Sequence, residues 1–572
     1  MDNQAIGRVL AEIADLLEIK GENAFKIRAY RTAAETAGAS PVPLATLGAA
    51  DLQKLPGIGK DLAAKIREIA DTGDAGFHRE LVAQFPPTIL DLLHLQGVGP
   101  KTVAMLYTSL GICTAEDLEQ AARAGKLREL RGMGAKKEAL ILKALEERRQ
   151  YAGRHLLADA HDAATGILDW LRQHSPEGEF VPVGSLRRGC ETCGDVDVLA
   201  VGVAPGVMDT FVGYREVERA LGRGDTKSSV LLRGGFQADL RLVPADSRGA
   251  AMQYFTGSKP HNIALRDRAI QRGYKLNEYG LYRISDNVRI AGEREEEIYG
   301  SLGLAYVPPE LRENRGEIAR AESRTLPRLI DTGDLRGDLH VHTDATDGRD
   351  DLEQVARGAA AAGLSYLAIT DHSKALAMAN GLDERRVLEQ ADAVRRMSQH
   401  IEGVSLLAGI ECDILPDGSL DLAEDCLARL DLVVASVHSA FGLDESQMTE
   451  RFLRAIESPV VDIIGHLTGR LLLRREGYRV DFERILDRAA ACGVALEINS
   501  QIDRLDVGDV LARRARERGV KLVISSDTHS RAGFGVLRWG AVVARRAWLE
   551  PGDVLNTLPV EQLLGSLRRN RN

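Results

Sequence analysis

The stretch GSLRRGCETCGDVDVLAV, residues 184–201, decides how the middle of this chain folds. It opens with a glycine–serine turn that carries two arginines, and it ends in alternating aspartates and aliphatic residues. Residues two apart on a β-strand point to the same face, so Asp195 and Asp197 share one face while Val196 and Val198 share the other. Backbone N–H groups, a serine hydroxyl and arginine forks are suitable donors to phosphate. The stretch therefore predicts a phosphate-binding turn followed by a half-buried strand with paired carboxylates.

A third carboxylate follows about forty residues later, in FQADLRLV at 236–243. The same alternation places Asp239 and Arg241 on one face of a strand, with apolar residues on the core face. Three carboxylates on adjacent strands supply the oxygen ligands that two hard divalent ions need. We therefore expect a pair of divalent metal ions at Asp195, Asp197 and Asp239.

Upstream of this region, the first 150 residues show helical periodicity and an internal repeat. The segments LPGIGKDLAAKI, LQGVGPKTVAML and LRGMGAKKEALI begin at Leu55, Leu95 and Leu130. Each places Gly-x-Gly before an amphipathic helix, where free N–H groups can bind a DNA phosphate without reading sequence. This pattern resembles the helix-hairpin-helix elements of DNA-repair proteins; a plain helical bundle with glycine turns is the alternative. The glycines that this resemblance implies to bind DNA are Gly57, Gly59, Gly97, Gly99, Gly132 and Gly134.

Downstream of Arg336, short apolar strands alternate with amphipathic helices, which predicts a parallel barrel. Six of the seven histidines in this region fall at the carboxyl ends of predicted strands, the end at which such barrels bear their active sites. With three acids they form a set of nine candidate ligands: His340, His342, Asp347, His372, Glu411, His438, His466, Asp527 and His529. Imidazoles with carboxylates suit Zn²⁺, Mn²⁺ or Fe²⁺, and nine ligands are enough for up to three ions.

Composition limits the class of protein. A chain of 572 residues with 44% hydrophobic and 28% charged residues is typical of a soluble, multidomain protein. No apolar run approaches the ~20 residues of a membrane span, and the first residues lack the basic region of a signal peptide. Six cysteines are too few for a disulfide framework, which favours the cytoplasm. The net charge of −10 excludes a strongly basic protein, so DNA binding must depend on local patches.

GSLRRG, GDVDVL and the YFTGS of 254–258 together resemble the nucleotidyltransferase core of family X DNA polymerases, the DNA polymerase β group. The resemblance extends over about residues 1–315 and implies that Asp195, Asp197 and Asp239 hold the catalytic metals. It also implies contacts of Arg266 with the template strand. The residues implied to bind the incoming nucleotide are Gly184, Ser185, Arg188, Tyr254, Phe255, Gly257, Lys259 and Asn262.

The same resemblance makes the N-terminus a 5′-phosphate-binding domain. Lys26, Arg28, Tyr30 and Lys60 would form its pocket, and Lys65 matches the Schiff-base lysine of the family's deoxyribose-phosphate lyase. Asp61 stands where the animal enzyme has a cation, so an ordinary solvated helix lysine remains the alternative reading of Lys65. The run Glu295–Glu297 is predicted to be a solvated helix start.

The nine candidate ligands after residue 336 match the PHP (polymerase and histidinol phosphatase) domain, a distorted (β/α)7 barrel with a trinuclear metal site. The implied chemistry is phosphoester hydrolysis, and a metal-stabilised barrel without activity is the alternative. A polymerase core followed by a PHP domain is similar to the bacterial branch of family X. That order implies a repair polymerase that fills short gaps and trims 3′ ends, acting on gapped or primed DNA and dNTPs.

The predicted fold is therefore multidomain: a helical helix-hairpin-helix region, an α/β palm and thumb, and a C-terminal barrel. We expect a nucleoid-associated monomer with no membrane contact. Two other functions remain open, a small-molecule phosphatase of the histidinol-phosphate type with an idle polymerase half, and a non-catalytic DNA-binding scaffold. The predicted domains are 1–85 (lyase-like), 86–150 (helix-hairpin-helix fingers), 151–247 (palm), 248–315 (thumb), 316–335 (a mobile linker) and 336–572 (PHP).

Overall fold

Glycine turns and apolar stripes at helical spacing produce the N-terminal unit, Met1–Ala152, which is helical in its described residues. The computed structural model describes residues 3–40, 44–86, 88–95, 98–130, 132–151 and 153–568. Within them, no helix has the length and apolar character to cross a bilayer. The helices of this unit are α1 (Asn3–Lys20), α2 (Ala24–Ala39), α3 (Ala49–Leu52), α4 (Lys60–Thr72), α5 (Gly76–Val82), α6 (Pro100–Leu110), α7 (Ala115–Arg123) and α8 (Ala135–Tyr151).

The glycine repeats lie at the starts of three of these helices. Gly59 and Gly99 cap α4 and α6, and Gly134 directly precedes α8. Gly57 and Gly132 adopt φ of 73° and 81°, which a glycine tolerates without strain. Within the described ranges, a β-carbon built on Gly59, Gly99 or Gly134 would have no non-neighbouring atom within 4 Å. The helix starts are therefore open to a ligand, whereas Gly97 lies outside the described residues.

The second unit, Gly153–Asn572, begins with a five-stranded mixed sheet in the order β2-β4-β7-β6-β5. Strands β4 and β7 are parallel, and the other neighbours are antiparallel. Helix α9 packs Ile167 and Leu171 into the core beneath the sheet. The elements are β1 (His155–Leu156), α9 (Leu157–His174), β2 (Glu179–Pro182), α10 (Gly184–Arg187), β3 (Thr192–Cys193), β4 (Asp195–Val201), α11 (Val207–Val212), β5 (Val217–Arg223), β6 (Lys227–Leu232) and β7 (Gln237–Val243).

A smaller subregion follows the sheet and contains an antiparallel β8-β9-β10 sheet. Its elements are α12 (Arg248–Thr256), α13 (Lys259–Gln271), β8 (Tyr274–Asn277), β9 (Gly280–Arg283), β10 (Arg289–Ala291), α14 (Glu295–Ser301) and α15 (Glu317–Glu322).

The segment 316–335 is folded, so the structure does not support a mobile linker at this place. Glu317 at the start of α15 is fully buried, and its carboxylate lies 2.7 Å from Nδ1 of buried His261. Further along, Ile330 is fully buried and belongs to the same apolar core as the barrel. The segment packs because its apolar and paired residues face the rest of the unit.

Seven parallel strands, β11 to β17, follow one another in chain order and form a nearly closed barrel. Val341 pairs with Thr528, so the extensions of the first and last strands meet. The strands are β11 (Gly337–Asp338), β12 (Tyr366–Ile369), β13 (Ser405–Asp413), β14 (Leu432–Ser436), β15 (Ile463–Ile464), β16 (Ala495–Asn499) and β17 (Leu522–Ser525). The helices are α16 (Leu352–Ala361), α17 (Glu384–Ser398), α18 (Glu424–Leu427), α19 (Glu445–Glu457), α20 (Phe482–Cys492), α21 (Asp509–Glu517), α22 (Leu537–Arg546) and α23 (Val560–Ser566). The predicted fold class is thus confirmed.

Candidate functional site

The three predicted carboxylates lie together on the mixed sheet. Asp197 of β4 is paired in register with Asp239 of the parallel strand β7, and Asp195 lies two residues earlier on β4. In-register residues of parallel neighbours point to the same face, so all three side chains do so. The intervening Val196 and Leu240 are fully buried on the opposite face. The sequence alternation therefore produces a carboxylate trio above an apolar core.

Mutual repulsion and burial shape the charge of this trio. Burial and the neighbouring Asp195 and Asp239 raise the pKa of Asp197 to about 6. Burial alone would raise the pKa of Asp239, but its hydrogen bonds lower that pKa. One of these bonds comes from Lys227, whose Nζ lies 2.6 Å from Oδ2 of Asp239. Gln237 also donates to Asp239 at 3.2 Å. Such an all-oxygen, mutually repelling donor set fits hard divalent cations.

The glycine–serine turn lies directly against the trio. Gly184 has φ of 67°, and a β-carbon built there would lie 2.6 Å from Oδ2 of Asp197. Only glycine lets the backbone approach that carboxylate so closely. The next residue, Ser185, is partly buried on α10, and its carbonyl accepts the Cys190 N–H at 3.0 Å. The predicted phosphate-binding turn and the predicted metal ligands therefore adjoin.

The two arginines of the turn have different environments. Arg188 donates to the Thr256 carbonyl, and its Nε lies 3.0 Å from Oε1 of Glu313. Arg187 forms two hydrogen bonds with Glu295, at 3.0 and 2.6 Å, and was expected instead to bind phosphate. Glu295 is only 4% exposed, so the expectation of a solvated helix start is wrong for this residue. A buried carboxylate retains its charge here because arginines surround it.

The other predicted nucleotide-binding residues line the start of the smaller subregion. The Arg241 guanidinium lies 4.6 Å from the Phe255 ring centroid, and Tyr254 packs edge-on against Phe255 at 5.1 Å. Asn262 donates to the Tyr254 carbonyl at 2.7 Å. A β-carbon built on Gly257 would lie 3.2 Å from Arg188, and Lys259 is exposed on α13. Arg266, which was predicted to contact the template strand, is also exposed on α13.

The turn also packs against the barrel. A β-carbon on Gly189 would lie 2.3 Å from Val542 of α22, and Glu191 accepts two hydrogen bonds from Arg470 at 3.0 and 2.6 Å. Arg546 of α22, 6% exposed, donates to the Arg188 carbonyl at 2.8 Å and pairs with Glu313 at 3.1 Å. Barrel residues therefore pack against the predicted phosphate-binding turn and form hydrogen bonds with it.

All nine predicted ligands of the barrel converge at the carboxyl ends of its strands. Glu411 of β13 lies at the centre: its Oε2 is 2.8 Å from His372 Nδ1, and its Oε1 is 3.0 Å from His466 Nε2. Three groups have ligand atoms within 4.8 Å of one another. They are His342, Asp347, His372 and His529; His340, His342 and Asp527; and His372, Glu411 and His438.

The protonation pattern shows how strongly these groups interact. Burial, with His529 and His372 nearby, lowers the pKa of His342. Burial alone would lower the pKa of His372, but Glu411 and Asp347 raise it to about 10. Among the described residues, His340 Nε2 and His342 Nδ1 are buried and make no hydrogen bond. Buried imidazole nitrogens need a partner, and a cation shared with the carboxylates fits that need.

Sequence reasoning missed a second layer of residues. Glu497 of β16 lies 2.7 Å from Nδ1 of His340, and its other oxygen accepts the His466 N–H at 2.7 Å. Asn499 donates to Oδ2 of Asp527 at 2.9 Å. The signal was present in ALEIN, residues 495–499, where Glu497 and Asn499 are two apart on a strand and face inward. Such partners orient metal-binding histidines and fix their tautomers.

The N-terminal pocket is only partly assembled. Lys26 and Lys65 lie 5.0 and 5.3 Å from the Phe77 ring centroid, and Tyr30 stacks on the same ring. Lys65 Nζ lies 2.6 Å from Oδ2 of Asp61. Burial alone would lower the pKa of Lys65, but Asp61 and Tyr30 raise it, which keeps the amine protonated. Lys60 is exposed at the start of α4, and Arg28 instead lines a depression with Arg31 and Lys101.

Models of four known protein families match parts of the chain. The DNA polymerase beta thumb family matches residues 251–313, and the PHP domain family matches 338–501. The helix-hairpin-helix domain matches 1–75, and the SAM-like helix-hairpin-helix tandem matches 89–147.

Curated relatives cover both the whole chain and its barrel. The chain is 36% identical over 573 residues to a Bacillus subtilis (strain 168) protein named DNA polymerase/3′-5′ exonuclease PolX, with all of both chains covered. It is 31% identical over 231 residues to a probable phosphatase of Thermoanaerobacter sp. (strain X514), covering 38% of this chain and 89% of the relative. A Leishmania infantum polymerase beta structure in ternary complex aligns with 40% of this chain and 98% of its own, at 22% identity and a TM-score of 0.27. On the full-length identity, the chain belongs to the PolX group of bacterial family X DNA polymerases.

Proposed function

We propose that this protein extends a DNA primer across short gaps by nucleotidyl transfer at the mixed sheet, and removes nucleotides from 3′ ends at the barrel rim. The observation that carries the polymerase assignment is the register of Asp197 opposite Asp239, with Gly184 of the phosphate turn against them. The Bacillus subtilis relative that aligns over the full chain is named for both activities. DNA repair is the process that such a pair of activities serves.

At the polymerase site, Asp195, Asp197 and Asp239 would hold two Mg²⁺ or Mn²⁺ ions. Such ions neutralise the triphosphate and increase the nucleophilicity of the primer 3′-hydroxyl. Lys227 places a positive charge 2.6 Å from Asp239 and limits the repulsion within the trio.

The phosphate turn would bind the incoming dNTP. The Gly184 backbone, the Ser185 hydroxyl and the Arg188 guanidinium would face the triphosphate, with Glu313 aligning Arg188 beforehand. Tyr254 and Phe255 would pack under the sugar beside Gly257, while Lys259 and Asn262 would approach the nucleotide and Arg266 the template. A preoriented guanidinium loses less conformational entropy when it binds phosphate.

The N-terminal unit would bind the DNA backbone through its open helix starts at Gly59, Gly99 and Gly134. N–H groups at a helix start attract phosphate irrespective of base sequence. Gapped or primed duplexes are the substrates that suit this arrangement. The protonated, ion-paired state of Lys65 argues against efficient lyase chemistry at neutral pH, because a Schiff base requires a neutral amine.

At the barrel, the nine ligands would hold up to three Zn²⁺, Mn²⁺ or Fe²⁺ ions. Bound ions polarise a phosphodiester and lower the pKa of the attacking water. Glu497 fixes the orientation of His340, and Asn499 orients Asp527. The side chains of Asp347 and His529 are 34% and 37% exposed, so substrate would enter on their side of the cluster.

Small-molecule phosphate-ester hydrolysis is the second candidate for the barrel. The barrel region is similar to proteins named probable phosphatases over 231 residues. Hydrolysis of a free phosphate monoester by the full chain, at a rate above that of 3′ trimming, would favour this candidate.

The two active sites can be separated in one assay on a gapped duplex with a labelled primer. Asp239→Asn should abolish extension and leave Mn²⁺-dependent trimming intact. His342→Ala should have the opposite effect, reducing trimming by orders of magnitude. Asp169→Asn, at an exposed residue of α9, and His400→Ala, at an exposed residue just after α17, are matched controls that should retain both activities. Wild-type extension by Asp239→Asn would refute the polymerase site, and wild-type trimming by His342→Ala would refute the exonuclease site.

A further inference from the structure

Phe441 is an exposed aromatic residue beside the barrel cluster. It lies in the loop after β14, three residues beyond His438, and is 39% exposed. Three residues span at most about 11 Å of chain, so Phe441 lies near the predicted ligands. An apolar ring at that position is close enough to contact a nucleotide whose phosphate occupies the cluster.

The Phe441 ring is supported from the neighbouring rim loop, which follows His466. Tyr478 lies nearly parallel to it, with ring centroids 6.2 Å apart and an interplanar angle of 12°. Tyr478 in turn packs against fully buried Phe452 at 5.8 Å. The Arg475 guanidinium lies 4.9 Å from the Phe441 centroid. Phe441 is therefore the exposed member of an aromatic cluster whose buried member, Phe452, lies on α19.

The loop that carries Phe441 is also anchored. Buried Arg451 of α19 donates to the Ser439 carbonyl at 2.8 Å. Arg475 is held by hydrogen bonds of 3.1 and 2.7 Å to the Gly469 carbonyl. The ring and the cation consequently keep their positions without a ligand, which limits the entropy lost on binding.

We propose that Phe441, with Arg475 beside it, is a stacking platform for an unpaired nucleobase at the 3′ end being trimmed. Every base has a π-face, so stacking on a fixed aromatic ring is tolerant of sequence but requires a base released from its pair. The guanidinium adds attraction for the strand's phosphates. This inference rests on the proposed exonuclease and assigns Phe441 and Arg475 to the binding of its substrate.

The test uses the full chain with Mn²⁺ and two measurements. The first is fluorescence quenching of 2-aminopurine at the 3′ end of a single-stranded oligonucleotide whose last linkage is a phosphorothioate, which slows cleavage. The second is the ratio of trimming efficiencies on matched 3′ ends with and without the terminal base. Loss of one base–aromatic stack of about 1–3 kcal/mol corresponds to about a 5- to 140-fold change in that ratio.

Phe441→Ala and Phe441→Leu should both lose the quenching and the preference for a base, whereas Phe441→Trp should retain them. The leucine variant preserves apolar packing against Tyr478, so it separates stacking from folding. Met378→Ala, at a 92% exposed residue of the rim loop after β12, is the matched control and should behave as wild type.

The outcomes separate this inference from the proposed function. Wild-type quenching and base preference in Phe441→Leu would overturn the platform, even if trimming itself is robust. Quenching that depends on Phe441 in a protein that trims no DNA would support the platform and overturn the exonuclease. Absence of both in the wild type would overturn both.

Discussion

Glu497 offers a test of how much the missed second layer contributes to the metal site. The residue is fully buried, and its two oxygens face the His340 ring and the His466 backbone N–H, each at 2.7 Å. In Glu497→Gln, one oxygen becomes an NH₂ donor that must face another donor. The substitution conserves shape and removes both a charge and one acceptor.

Two independent estimates give a similar magnitude for this change. A hydrogen bond to a charged group contributes about 1.5–3 kcal/mol. Loss of an outer partner of a metal-binding histidine typically lowers metal affinity about 10- to 100-fold, which equals about 1.4–2.8 kcal/mol. We therefore expect Glu497→Gln to weaken Mn²⁺ binding at the barrel about 10- to 100-fold.

The assay is Mn²⁺ titration of the metal-free full chain in competition with a chelator, together with the Mn²⁺ dependence of trimming. Glu402→Gln is the matched control, because Glu402 is exposed and precedes β13 at the opposite end of the barrel strands. Primer extension should remain at the wild-type level in both variants. Unchanged Mn²⁺ affinity in Glu497→Gln would refute the assignment of His340 as a metal ligand that Glu497 orients.

Three further predictions follow from single contacts. Arg546→Met breaks a buried charged network beside Arg188. It should therefore lower the free energy of unfolding, measured by urea denaturation, by about 2–5 kcal/mol and raise the KM for dNTP. Arg385→Met, at an exposed residue, should change neither quantity. Gly184→Ala should strongly reduce primer extension, since its β-carbon would displace Asp197, whereas Gly206→Ala, with open space around it, should not. Lys65 has a raised pKa and stays protonated at pH 7, so borohydride trapping on an abasic-site oligonucleotide should be weak there and increase with pH. Asp61→Asn removes the charge paired with Lys65 and should increase trapping at a given pH. Equal trapping by Asp61→Asn and the wild type would contradict the inference that Asp61 keeps Lys65 protonated.

The sequence was sufficient to predict the active-site strands because their chemistry and their periodicity coincide. Asp195, Asp197 and Asp239 alternate with apolar residues, so pattern and function pointed to the same face. Histidines at strand ends were similarly informative, since parallel strands bring their carboxyl ends to one rim.

Features that depend on tertiary partners could not be predicted in this way. Glu295 is one of three successive acids, and only the folded chain shows that Arg187 and Arg312 surround it. The segment 316–335 is charged and proline-punctuated, yet Glu317 is buried through its pairing with His261, which is 56 residues earlier in sequence. From the sequence alone, Glu497 could not be distinguished from any other acidic residue on a strand, because only the fold brings it within 2.7 Å of His340.

The packing of the phosphate turn on α22 has a consequence for how the protein is made. Val542 packs against Gly189, and Arg546 donates a hydrogen bond to the Arg188 carbonyl. The ribosome adds Val542 and Arg546 about 350 residues after the turn. At ~5–20 residues per second, roughly 20–70 s of synthesis separate the turn from its supports. Until α22 has been synthesised, a nascent or prematurely terminated chain therefore lacks two of the contacts that the glycine–serine turn makes in the folded chain.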